Sequence, residues 1–211
     1  MVLTISQDIS YLEQFIKLHE LRNTVLEQIV IINQVSWEQY EAFLEKLGDR
    51  PRISVTYLEG MLEIMSPSHR HKLSKKLMGI LLEAYFLEFG IRFYALGSTT
   101  FRSELCKKGI EPDQCYCIGT DKEIPDLAIE IVLTSGGINS LKVYQDLGVP
   151  EVWFWQKGSL LVFSLQNGEY IQVTQSQLLP DLDLNLLASY IDAEDPFDAL
   201  LEFRQKIKNS Q

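Results

Sequence analysis

The stretch from Pro125 to Trp155 constrains the fold more than any other. Asp126-Leu127-Ala128-Ile129-Glu130-Ile131-Val132-Leu133 is an apolar run of strand length, and Thr134-Ser135-Gly136-Gly137 turns the chain. Ile138 to Leu147 then reads as a short helix closed by Gly148-Val149-Pro150, and Glu151-Val152-Trp153-Phe154-Trp155 is a second apolar run. Strand, short helix and strand in that order imply a parallel pair with a right-handed crossover. The second run is apolar on both faces, as a covered central strand should be. One residue breaks the pattern. Glu130 stands between Ile129 and Ile131, and a charged carboxylate in a covered strand is costly unless a metal or a cation compensates it.

With a period of two, Asp126, Ala128, Glu130 and Val132 share one face, and Leu127, Ile129, Ile131 and Leu133 form a core face on the other. Glu130 therefore points away from that core face; an edge strand with an exposed glutamate is the competing reading. Upstream, Glu111-Pro112-Asp113 leads into Gln114-Cys115-Tyr116-Cys117-Ile118, in which Asp113, Cys115 and Cys117 share a face. Alone, Asp113 reads as a turn residue after Pro112. If its strand pairs with the Glu130 strand, two carboxylates approach from neighbouring strands. Mg²⁺ or Mn²⁺ wants oxygen ligands, usually one or two carboxylates plus water and substrate phosphate. A site of that kind activates water against a phosphodiester.

Other residues are candidates with plainer alternatives. Lys142 lies early in the helix after the Glu130 strand, at the strand's C-terminal end, where ligands gather in α/β sheets. It is either an amine that orients water or neutralises phosphate, or a surface lysine. Glu59, before Gly60, reads on its own as a solvated turn residue. His71 is a substrate contact or proton shuttle near neutral pH, or a histidine near a helix N-terminus. Cys115-x-Cys117 lacks the second ligand pair that zinc needs, so both thiols read as small buried side chains.

The rest of the chain supplies the frame. Ser36 with Gln39 forms a capping-box pattern ahead of a Tyr40, Phe43, Leu44 and Leu47 stripe. Arg52 to Leu58 and Met61 to Met65 alternate around Glu59-Gly60, which predicts a hairpin. A long helix is expected from Ser66-Pro67-Ser68 to about Phe89, stopped by Gly90. Ile91 to Gly97 reads as a strand, with Thr99 to Arg102 continuing its sheet. Leu160 to Leu165 and Tyr170 to Thr174 form a hairpin through Asn167-Gly168. Short helical segments follow at Leu184 to Tyr190 and from Pro196 to about Lys208. Leu12 to Ile31 has helical spacing in parts and no clear cap.

At 211 residues the chain is expected to form a single domain, 1–211. Within it, 36–174 would be the core, 1–35 an N-terminal arm and 175–211 an acidic helical tail. No apolar run approaches the ~18 residues of a membrane span. The N-terminus shows no secretion pattern, and three cysteines fit free thiols in a reducing cytoplasm. The net charge of −10 is awkward for a nucleic-acid enzyme, because binding rests on neutralising phosphates. Yet Arg50 to Lys108 holds ten basic and five acidic residues, a local +5. Arg70, Lys72, Lys75 and Lys76 there are either phosphate contacts or a solvated helix face.

The ordered set Tyr57 to Pro67, His71, Pro112-Asp113, Ala128-Ile129-Glu130-Ile131, Lys142-Val143-Tyr144 and Gly148 to Trp153 resembles the Uma-two family. That family is a large bacterial set of restriction-endonuclease-type proteins, placed in the PD-(D/E)XK nuclease superfamily. The resemblance implies an α/β restriction-endonuclease-like core, a mixed β-sheet flanked by helices, often as a homodimer. It also implies a Mg²⁺- or Mn²⁺-dependent endonuclease acting on DNA, with Asp113 and Glu130 as metal ligands and Glu59 as helper acid. The superfamily lysine would fall two residues after the second acid, where this chain has Val132; Lys142 on the next helix is then its replacement. Two other readings stay open: a catalytically decayed nuclease fold acting as a binding or regulatory module, and a hydrolase of small phosphate esters.

Overall fold

The computed structural model describes residues 2–6, 27–48, 53–97, 99–134 and 137–209, and it divides into two compact units. The first comprises Met1–His71, Thr100–Glu111 and Leu133–Leu147; the second comprises Lys72–Thr99, Pro112–Val132 and Gly148–Gln211. Each is built on one mixed six-stranded sheet. The α/β class with mixed sheets and flanking helices, restriction-endonuclease-like in kind, is the one expected. Its distribution over two sheets is not.

The first unit carries β1 (Val2–Ser6), β2 (Gln28–Asn33), β3 (Ser54–Leu58), β4 (Met61–Ser66), β6 (Phe101–Ser103) and β7 (Lys108–Ile110), in the order β1-β2-β4-β3-β7-β6. The expected hairpin is β3–β4, with Glu59 and Gly60 both at positive φ (46° and 94°). That is the backbone twist a two-residue turn between strands requires. Helix α1 (Trp37–Leu47) begins at the expected capping box: Gln39 N–H donates to Ser36 Oγ and Ser36 N–H to Gln39 Oε1. It buries Trp37, Tyr40, Phe43 and Leu47, and the Tyr40 ring stacks on Tyr57 at 4.8 Å between centroids. Gly109 on β7 lies under that ring, since a Cβ there would collide with the Tyr40 hydroxyl.

Three expectations are corrected here. Residues 28–31, placed in a stretch of helical spacing, are strand β2, because Ile29, Val30, Ile31 and Ile32 in succession favour extended backbone. The remainder of that stretch lies outside the described residues. The segment expected to continue the Ile91–Gly97 strand instead starts β6, which pairs with β7 in the first sheet. The Ile91–Gly97 strand itself narrows to β5 (Phe93–Ala95), which pairs with Tyr116, Cys117 and Ile118 in the second sheet.

The second unit carries β5, β8 (Gln114–Ile118), β9 (Leu127–Val132), β10 (Glu151–Gln156), β11 (Ser159–Gln166) and β12 (Glu169–Val173), ordered β12-β11-β10-β9-β8-β5. β9 and β10 are parallel, as the strand–helix–strand pattern predicts, and the chain between them holds α3 (Ser140–Leu147) of the first unit. β9 is an interior strand, so the edge-strand alternative for Glu130 falls away. Helix α2 (His69–Glu88) starts at Ser68, whose Oγ accepts the His71 N–H, and most of its length lies in the second unit. The tail contains α4 (Leu184–Ala188) and α5 (Pro196–Asn209).

Candidate active site

The acid pair is a product of strand register. β8 and β9 run antiparallel with Gln114 opposite Ile129, Cys115 opposite Ala128 and Tyr116 opposite Leu127. Asp113 is the residue before β8; carried one step further, this register would set it opposite Glu130, and directly opposed residues project to the same side of a sheet. Asp113 is buried at 5% exposure, and its Oδ2 accepts the Ile131 N–H at 2.9 Å. The carboxylate thus binds the backbone of β9 where the regular ladder stops. Glu130 is half-buried between buried neighbours. Val132, in the position of the superfamily lysine, ends β9 and pairs with Gln156.

A lysine reaches Asp113 from helix α2. Lys75 Nζ lies 3.6 Å from Asp113 Oδ1. The placement follows from helical spacing. Lys75, Gly79 and Glu83 are four apart and share one face, and that face lies along β8. Gln114 Nε2 reaches the Lys75 carbonyl at 3.5 Å, and Tyr116 Oη donates to Glu83 Oε1 at 3.3 Å. At Gly79 a Cβ would already press on Gln114 and Tyr116, so glycine sets how closely helix and strand approach. The buried Cys115 thiol registers the same neighbourhood. Burial first, with Cys117 and Glu130 adding, pushes it up to about 12, while Lys75 pulls the other way. Cys115 and Cys117 are free thiols, and burial likewise raises Cys117; neither is primed as a nucleophile.

Of the remaining candidates, Arg70, Lys72 and Lys76 are exposed on the first turns of α2. His71 is fully buried in the first unit, with Nδ1 2.7 Å from Glu27 Oε1. Glu59 is exposed at its turn and lies 3.5 Å from the buried Lys108 amine, which also pairs with Asp146. Lys142 is exposed on α3, and its carbonyl accepts from Lys108 Nζ at 3.3 Å. The first unit also holds Glu63, whose Oε2 accepts the Ile138 N–H at 2.6 Å. Burial is the main reason its carboxyl is raised above the ordinary range; the Ile138 bond opposes this and Glu27 adds to it.

In the sequence, Lys75 is one of a run from Arg70 to Lys76 that reads either as phosphate contacts or as a solvated helix face. The signal that could have singled it out is the Lys75-x₃-Gly79-x₃-Glu83 spacing, a glycine-centred face that must lie close to a neighbouring strand. Among the described residues, no three His, Cys, Asp or Glu side chains gather as a ligand cluster. Two carboxylates are nonetheless a fitting donor set for Mg²⁺ or Mn²⁺, which fill their remaining positions with water and phosphate oxygens. They do not fit structural zinc.

Mixed sheets flanked by helices are the architecture of a restriction-endonuclease-like protein. A family model, Uma2, described as "Putative restriction endonuclease", matches residues 37–192, and the chain belongs to that family. No curated protein matches it. No helix among the described residues is long and apolar enough to cross a membrane.

Proposed function

We propose that this protein is a Mg²⁺- or Mn²⁺-dependent endonuclease that hydrolyses phosphodiester bonds in DNA. The observation that supports this most is the buried Asp113 carboxylate held by the N–H of Ile131, the residue after Glu130, in a chain of the Uma2 family. Asp113 and Glu130 would hold the cation. When bound, such a cation lowers the pKa of a coordinated water and stabilises charge on the phosphate. The Ile131 N–H holds Asp113 Oδ2 and fixes the carboxylate's orientation. Low exposure keeps bulk water from screening its charge. Arg70, Lys72 and Lys76, exposed on the first turns of α2, suit contact with successive phosphates, which position a duplex without reading its sequence. Lys142 and Glu59 are carried as candidates for placing water and assisting the acids, and substitution decides both roles. A homodimer acting in the cytoplasm would offer one site to each strand of a duplex.

One observation favours a second reading. Val132 stands where the superfamily lysine would be, on a chain of net charge −10. A fold that has lost catalysis and binds a partner instead would carry such changes. Plasmid and oligonucleotide cleavage in Mg²⁺ and in Mn²⁺ separates the two. The nuclease reading expects cleavage by the wild type that disappears in Asp113→Asn and Glu130→Gln. Absence of cleavage in the wild type, or cleavage that persists in Asp113→Asn, supports the second reading or an unrelated site.

A further inference from the structure

We propose that Lys75 is a catalytic residue of the Asp113–Glu130 site, its ammonium group bonding the phosphate under attack. This rests on the acid pair being the hydrolytic centre, as proposed above. A phosphodiester is an anion, and attack by water adds charge to its non-bridging oxygens, so a donor fixed beside them stabilises the transition state more than the ground state. Asp113 and Glu130 are both acidic and would repel that substrate without cationic help. Lys75 brings an amine to Asp113, with Nζ 3.6 Å from Oδ1.

Its placement is built into the packing. The Lys75 carbonyl is met by Gln114 Nε2, and Gln114 is the residue after Asp113. Gly79, one helical turn on, removes the side chain that would hold α2 away from β8, and Glu83 fastens the next turn to Tyr116. The Lys75 side chain keeps 28% exposure against 6% for Asp113. The amine therefore touches the buried acid while remaining open to an incoming ligand. Lys72 and Lys76 on the same helix are exposed and suit phosphates further along the strand.

In the reaction, the water oxygen forms a bond to phosphorus as the bond from phosphorus to the leaving sugar oxygen breaks. The water's proton passes to solvent, and the leaving oxygen takes up a proton in turn. Lys75 stays an ammonium throughout. It has donors and no acceptor, so it stabilises charge and takes no proton.

The test compares Lys75→Met, Lys75→Arg, Lys142→Ala and Asp113→Asn with the wild type. Three quantities are measured: kcat and KM for oligonucleotide cleavage in Mn²⁺, Mn²⁺ binding by calorimetry, and melting temperature. Lys75→Met is expected to lower kcat by ~10²-fold or more, the scale of losing one donor to a developing anion. It should leave KM, Mn²⁺ binding and melting temperature near wild type, and Lys75→Arg should recover part of the rate. A Lys75→Met enzyme with wild-type kcat, beside an inactive Asp113→Asn, overturns the Lys75 role and leaves the acid pair standing. So does equal loss in Lys75→Met and Lys75→Arg with lowered melting temperatures, which marks Lys75 as scaffold. A wild type that neither cleaves nor binds Mn²⁺, or an active Asp113→Asn, overturns the acid-pair reading and the Lys75 role with it.

Discussion

Two buried carboxylates on the same sheet meet opposite fates. Glu151, at the start of β10, is 1% exposed and accepts from Trp153 Nε1 at 2.6 Å, Ser176 Oγ at 2.5 Å and the Gln177 N–H at 2.9 Å. Ser176 in turn accepts the Leu179 N–H, so the network is tied into the tail. Asp113, before β8, is also buried, but it is oriented by the N–H of Ile131, the residue after Glu130, and approached by the Lys75 amine. Three neutral donors converging on one carboxylate make a structural joint. A buried acid beside an accessible amine concentrates charge of both signs in one place, as an active site does. The difference teaches that burial alone does not mark function; the identity of the partners does.

Asp113→Asn is expected to have the largest effect, lowering any Mn²⁺-dependent cleavage by ~10²-fold or more while the protein still unfolds cooperatively in a thermal melt. Glu151→Ala should show the converse. Three donors lose their acceptor in the interior, which costs on the order of 3 kcal/mol in chemical denaturation, and the specific rate of whatever folds should match the wild type. If Glu151→Ala instead abolishes catalysis without destabilising, the contrast between the two carboxylates fails.

Much of this contrast was legible beforehand. Glu130 stood out because apolar neighbours flank it on both sides, and Asp113 because it opens the preceding strand; their approach required only that the two strands pair. The β3–β4 and β11–β12 hairpins were legible through Glu59-Gly60 and Asn167-Gly168, and α1 through its capping box. Lys75 was not, because its partner lies on a strand far along the chain and the link runs through a glycine that leaves no trace in an apolar stripe. The division into two sheets was hidden for the same reason. β7, Lys108–Ile110, has no alternating pattern of its own and is a strand because Thr56 to Leu58 and Phe101 to Ser103 pair with it from either side. The Glu151 network was hidden because two of its three donors, Ser176 and Gln177, come from a loop with no periodic signal.

The first unit sharpens the comparison with smaller effects. Gly109→Ala would drive a methyl group into the Tyr40 ring. It should cost about 2 kcal/mol by urea denaturation, the usual scale of overpacking a filled core. Glu63 gives the smallest and most diagnostic effect. Its folded-state pKa is raised, chiefly by burial, so the folded state favours the protonated carboxyl. The stabilisation is present below the ordinary value of 4.5 and is lost as pH rises through the raised folded value. Glu63→Gln cannot ionise and keeps an oxygen to accept the Ile138 N–H. Its melting temperature should therefore gain on the wild type as pH rises from acid toward neutrality, and a constant difference across that range would exclude the effect.

The most direct test of the central claim is a Mn²⁺ titration followed by electron paramagnetic resonance on three proteins: wild type, Asp113→Asn and Glu151→Gln. An acidic chain collects some cations over its surface, so the difference between proteins is the quantity to read. Wild type and Glu151→Gln are expected to bind Mn²⁺ alike, and Asp113→Asn to lack the tightest class of bound ion. Superimposable isotherms for wild type and Asp113→Asn would contradict the central claim.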